Sequence, residues 1–148
     1  FFDTRSTDLP RPIPPLEAWR RMHARPLPGL RLAFWLRDAI SACFGVSRIG
    51  NITGQVPENV QTGDKLDFFV VEAISERILT LTVRDRHLDV MTCLSSHDGV
   101  LTVTSSVKTH TLFGRAYMLP VGPAHKLIVN LSLKRLRQTM EQAPQPRR

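Results

Sequence analysis

Two cysteines, Cys43 and Cys93, are all this 148-residue chain contains. Two thiols make no disulfide framework, and the pattern around Cys43 is that of a small apolar residue on a helix stripe. Both are read as free thiols, in keeping with a reducing, cytoplasmic setting. No run of about 18 apolar residues is present, so no membrane span is expected. No charged-apolar-small signal pattern opens the sequence. It begins at Phe1 without a methionine, so residues upstream are expected to have been removed. Close-spaced metal motifs of the H-E-x-x-H or C-x-x-C kind are missing, and neither a metal nor a cofactor is expected. No serine, cysteine or threonine sits in a recognisable nucleophile elbow, which leaves covalent catalysis without support. There is no internal repeat and no low-complexity block.

What is present fits an ordinary globule. Hydrophobic residues make up 42% and charged residues 22%, and this length buries a core without staples. The expected organisation is one domain over 1–142 and a flexible basic tail over 143–148. The net charge is +7, carried partly by Arg20, Arg21, Arg25, Arg31, Arg37, Lys134, Arg135 and Arg137. Solvated helix faces explain it, and no aromatic-basic stacking pattern points to nucleic acid.

Along the chain, Thr4–Asp8 reads as a short edge strand. Pro10, Pro12, Pro14 and Pro15 exclude a regular element after it. Leu16, Trp19 and His23 then give a helix of about ten residues, ended by Pro26 and Pro28. Leu32, Trp35, Leu36, Ala39, Ile40 and Cys43 form a continuous helical stripe that Gly45 can stop. A loop follows, with a short strand near Ile49–Thr53. From Leu66 the period becomes two. Strands are expected over 66–74, 79–84, 87–94 and 101–108, with turns at Glu76-Arg77, Asp85-Arg86 and His97-Asp98-Gly99. A further strand is expected around Phe113–Leu119. Short connections make neighbours antiparallel, and one face mixes Thr, Ser, His and Asp while the other is apolar.

The last segment, Pro123–Met140, reads as a helix with two offset stripes. Ala124, Leu127, Ile128 and Leu131 form one; Val129, Leu133, Leu136 and Met140 form the other. Either the helix start is buried on several sides, or the second stripe meets another element or a second copy of the chain. The first is preferred; a homodimer through this helix is the alternative. Trp19, Trp35, Phe68, Phe69 and Met91 are read as core.

Three polar signatures carry the candidate chemistry. In Asp85-Arg86-His87-Leu88-Asp89, residues two apart in a strand share a face. Asp85 or Asp89 could then orient His87 as a general base, or the three could form a structural turn that caps a hairpin. In Gly114-Arg115-Ala116-Tyr117, an extended backbone would bring Arg115 and Tyr117 to one face as a fork and a hydroxyl for a ligand's polar end. Arg115 could equally bridge to Asp85 or Asp89, and that bridge is the preferred reading. In Pro123-Ala124-His125-Lys126, His125 falls in the first helical turn, where the dipole favours neutral imidazole and backbone N–H groups can take an anion. Packing of His125 on the sheet is the plainer alternative.

These motifs, with Phe44-Gly45 before them and Leu127-Ile128-Val129 after, resemble a bacterial domain family of unknown function. The similarity spans about Phe2 to Leu136. The family occurs alone and appended to proteins similar to nucleoside-diphosphate-sugar epimerases, and it lends no catalytic residue. Where many relatives carry an aromatic and a basic residue after the motif aspartate, this chain has Val90 and Met91. The element order also resembles the helix-grip fold of lipid-transfer-like proteins. That resemblance implies an α+β, helix-grip-like curved antiparallel sheet with two N-terminal helices and a long C-terminal helix across it.

The expected function is a binding module for a small, largely apolar ligand held between sheet and last helix, with His87, Asp89, Arg115, Tyr117, His125 and Met91 at the site. One alternative is an acid-base enzyme (cyclase, dehydratase or hydrolase type) with His87 as base and Asp85 or Asp89 orienting it. The other is a structural or regulatory interaction domain with no ligand.

Overall fold

Alternating apolar residues from Lys65 onward set up a meander of antiparallel strands, and the N-terminal strand returns to its far edge. The computed structural model describes residues 1–24, 27, 29, 35, 37–39, 42 and 56–142. Its elements are β1 (Phe2–Asp8), α1 (Pro15–Ala24), β2 (Lys65–Leu66), β3 (Phe69–Ile74), β4 (Ile78–Arg84), β5 (Leu88–His97), β6 (Val100–Thr109) and α2 (Leu112–Gln142). The sheet is curved, open and wholly antiparallel, in the order β1-β6-β5-β4-β3-β2. Trp35, Arg37, Asp38, Ala39 and Ala42 are helical, as expected of the second N-terminal helix. The rest of that helix, the strand expected near Ile49–Thr53, Cys43 and the 143–148 tail lie outside the described residues.

Local chemistry accounts for the turns. Asp98 and Gly99, at φ 50° and 77°, make the two-residue connection between β5 and β6, as the Asp-Gly pair demands. Between Ile74 and Ile78 the Ser75 hydroxyl accepts from the backbone N–H groups of Arg77 and Ile78. At Glu72 a bulge shifts the β3–β4 register, so Val71 faces Leu81 while Ala73 faces Thr80.

The helix-side face of the sheet is built in rows. One runs Leu79–Leu94–Val103–Arg5, the next Val71–Leu81–Thr92–Ser105–Asp3, the third Val83–Val90–Val107. Leu79, Leu81, Leu94 and Leu101 are sealed from solvent, together with Val71 and Leu66. Above them lie Trp19 of α1 and Val129, Leu133, Leu136 and Met140 of α2, in one cluster. The opposite face carries Thr80, Thr82, Thr102, Thr104 and Ser106 with Met91 and Ile78, and is partly or fully exposed. Met91 and Trp35, read from sequence as core, are 41% and 66% exposed.

The largest departure from the sequence reading is α2. Its 31 residues, about 46 Å long, include the stretch 113–119 expected to be a strand. Thr111 is the reason: its hydroxyl oxygen accepts the Gly114 N–H at 3.1 Å and caps the helix. Pro123, expected to open the helix, lies inside it with Pro120. Both prolines are exposed, so the carbonyls of Ala116 and Leu119 that they leave without a helical donor can turn to water. Of the two offset stripes, Val129–Met140 enters the core, whereas Leu127 and Leu131 stay exposed.

Candidate functional site

The Asp85–Asp89 and Gly114–Tyr117 motifs, 25 residues apart or more in sequence, meet in space at the start of α2. Asp85 opens a turn, not a strand: its Oδ1 accepts the His87 N–H at 3.1 Å, and its own N–H reaches the Leu88 carbonyl. The His87 carbonyl accepts the His110 N–H at 2.8 Å. A Cβ on Gly114 would sit 2.5 Å from that same carbonyl oxygen, so only glycine lets the first helical turn close on the β4–β5 turn. Phe113 stands edge-on to the His87 ring at 5.0 Å.

His87 Nδ1 and the Thr111 hydroxyl are hydrogen-bonded at 2.8 Å. The hydroxyl oxygen therefore serves the helix cap and the imidazole together. His87 Nε2 is buried and has no partner among the described residues. An orphaned buried polar atom costs about 1–3 kcal/mol, so it calls for a reason. The Trp19 indole N–H, between His23 and Phe69, is in the same condition.

The other expected residues separate. Asp89 alternates to the far face of the sheet, where its Oδ2 lies 3.1 Å from His110 Nε2. Met91 lies on that far face too, away from α2. Arg115 and Tyr117 share no sheet face, because two residues along a helix are about 200° apart. Arg115 is exposed. Tyr117 is half-buried one turn from Phe113; its hydroxyl accepts from Arg37 Nε, and the guanidinium stacks over the ring at 5.6 Å.

His125 falls in the fourth turn of α2, not the first. Its Nε2 is hydrogen-bonded to Ser105 Oγ at 2.9 Å, with the Phe1 ring edge-on at 6.0 Å. Burial pushes its pKa below the ordinary histidine value, opposed by the negative charge of Asp3. The cause is desolvation and not the helix dipole, because His125 lies well past the first turn of α2. This Ser–His pair has the spacing of a nucleophile and its base. Ser105 is only 2% exposed, so the contact satisfies a buried hydroxyl rather than offering it to substrate. Sequence reasoning missed the pair, since no short spacing links strand residue 105 to helix residue 125.

Coverage of the sheet differs from row to row. Val83, Val90 and Val107 point to the helix side yet remain partly exposed, unlike the leucine rows beside them. On α2 itself, Leu131, Lys134, Arg135 and Gln138 form a shallow open groove with Leu27, of about 390 Å³. Among the described residues, no three His, Cys, Asp or Glu side chains gather as metal ligands would.

The architecture is α+β: an open antiparallel sheet with a long C-terminal helix. Residues 1–132 match the family described as "Protein of unknown function (DUF2867)", and the chain belongs to that family. Neither the curated proteins nor the solved structures gave a match. No helix among the described residues is long and apolar enough to cross a membrane.

Proposed function

We propose that this protein is a binding module for a small, largely apolar molecule with one hydrogen-bonding group. The ligand lies over the half-covered row Val83–Val90–Val107, beside the first turns of α2. The single observation that carries this reading is the orphaned, buried Nε2 of His87 in the turn that joins Val83 of β4 to Val90 of β5, two valines that the described residues leave partly exposed. Binding sites commonly pair apolar walls with a few placed polar groups. His87 supplies one such group and the Tyr117 hydroxyl a second, with Arg115 at the rim. His125 tunes the neighbouring middle row through Ser105, and Met91 and Asp89, on the far sheet face, drop out of the site.

In this reading the chain is a bacterial, cytoplasmic protein of helix-grip-like design, alone or joined to an epimerase-like partner domain. Native mass spectrometry on freshly purified protein tests the proposal. The expected spectrum shows chain plus a small adduct, and His87→Phe loses the adduct with little change in melting temperature. Bare chain from both proteins, together with no shift in melting temperature on adding fatty acid or sterol, counts against it.

A structural clasp is the second reading, and a specific observation favours it: Asp85, Thr111 and Ser105 are hydrogen-bonded within the protein, and Asp89 lies against His110. It predicts that His87→Ala lowers the melting temperature and alters no binding. Acid-base catalysis by His87 draws less from the geometry, because the group on Nδ1 is a hydroxyl and Asp89 serves His110.

A further inference from the structure

From Leu112 to Met140, α2 contains no acidic residue, while Arg115, Lys126, Lys134, Arg135 and Arg137 are all cationic. The one carboxylate of the helix, Glu141, accepts from Arg137 at 2.9 Å. Thirteen acidic residues occur in the whole chain, so this run is a local exclusion and not a property of the composition.

The same helix turns a second apolar edge away from the sheet. Leu112, Ala116, Leu119, Pro120, Pro123 and Leu127 recur every three or four residues and are all exposed. At 100° per residue they fall within a sector of about 100°, centred roughly 120° around the helix from Val129, Leu133 and Leu136. Leu112 is 82% exposed, Leu119 77% and Leu127 59%, which is no incidental scatter of surface leucines. Arg115 and Lys126 run along one side of this edge, and Lys134 lies in line with it two turns beyond Leu127.

We infer that the outer face of α2 docks on an anionic lipid surface, lying in the plane of the headgroups. Leucines enter the acyl boundary and the flanking cations meet lipid phosphates and carboxylates, the pattern of an interfacial helix. Charge selects this occupant over the others. A second copy would bring two acid-free, cationic faces together. A nucleic acid would meet leucine and proline where it needs donors.

Sedimentation of the full chain with phosphatidylcholine–phosphatidylserine vesicles, against phosphatidylcholine alone, tests the inference. The protein is expected to pellet with the mixed vesicles and stay in solution with the neutral ones. Lys126→Gln or Lys134→Gln should weaken partition about fivefold each. The double variant Leu119→Asp/Leu127→Asp should abolish it at unchanged melting temperature. Absence of pelleting by the parent chain overturns the inference, as does pelleting that the double variant retains. So does a dimer that the double variant splits without any vesicle binding, which would assign the face to a second copy. A large fall in the double variant's melting temperature with no vesicle binding would assign it to another part of the chain.

Discussion

The two halves of α2 meet the sheet by different physics. From Val129 to Met140 the helix inserts four apolar side chains above the leucine rows, and the contact is dry. From Leu112 to Lys126 it approaches through glycines and polar contacts: Gly114 on the His87 carbonyl, Gly122 close to the Phe1 ring, His125 on Ser105. The dry half obtains stability from buried area. The polar half holds a geometry, and it leaves the third sheet row partly open. One helix is thus anchored by apolar burial at its C-terminal end and held by close polar contacts at its N-terminal end.

That contrast can be broken by substitution. Leu133→Ala in the dry half should cost about 2–5 kcal/mol through lost burial and cavity formation. Urea unfolding measures it, and a cost below about 1 kcal/mol would mean this half is not sealed. Gly114→Ala should cost about 1–3 kcal/mol, because the new methyl meets a backbone oxygen that cannot swing aside. The same midpoint shift reports it, and under the proposed binding role it should come with weaker retention of any copurifying molecule, since the turn carrying His87 must move.

A gentler effect follows pH. Burial lowers the pKa of both His125 and His23 in the folded protein, from an unfolded value of 6.5. The unfolded chain therefore takes up these protons first. The stability they contribute is full above 6.5 and is lost as pH falls below it toward the folded values. A pH series of urea midpoints should decline on the acid side, less steeply in His125→Gln. Stability that rises on acidification would contradict the assignment. Smallest of all, Glu17→Ala removes the pairs to Arg20 and Arg21, at 3.0 and 2.9 Å on the α1 surface. It should change stability by less than about 1 kcal/mol, the floor against which the two halves of α2 are judged.

The strands were legible because each rests on local alternation, and the Asp98-Gly99 turn because only such residues accept its dihedrals. The first half of α2 was not. Phe113, Arg115 and Tyr117 alternate like a strand, and Pro120 and Pro123 look like breaks. The sign of a helix was Thr111, a capping residue three before Gly114, and it outweighs alternation once the prolines face water. At the site, the sequence brought out both motifs but mispaired their members. His87 sits in a turn, so residue parity does not tie it to Asp89. Contacts such as Ser105–His125 depend on how the helix crosses the sheet, and no spacing along the chain encodes that. Trp35 and Met91 show the converse: bulk and apolarity alone do not place a residue in the core.

Methyl-resolved NMR during titration with anilinonaphthalene sulfonate, a small apolar anion, tests the central claim most directly. The methyl signals of Val83, Val90 and Val107 should shift together and saturate, while those of Leu79, Leu94 and Leu133 hold still. Shifts confined to Met91 and Ile78 on the far face, or no saturable shift anywhere, would contradict a ligand site beside His87.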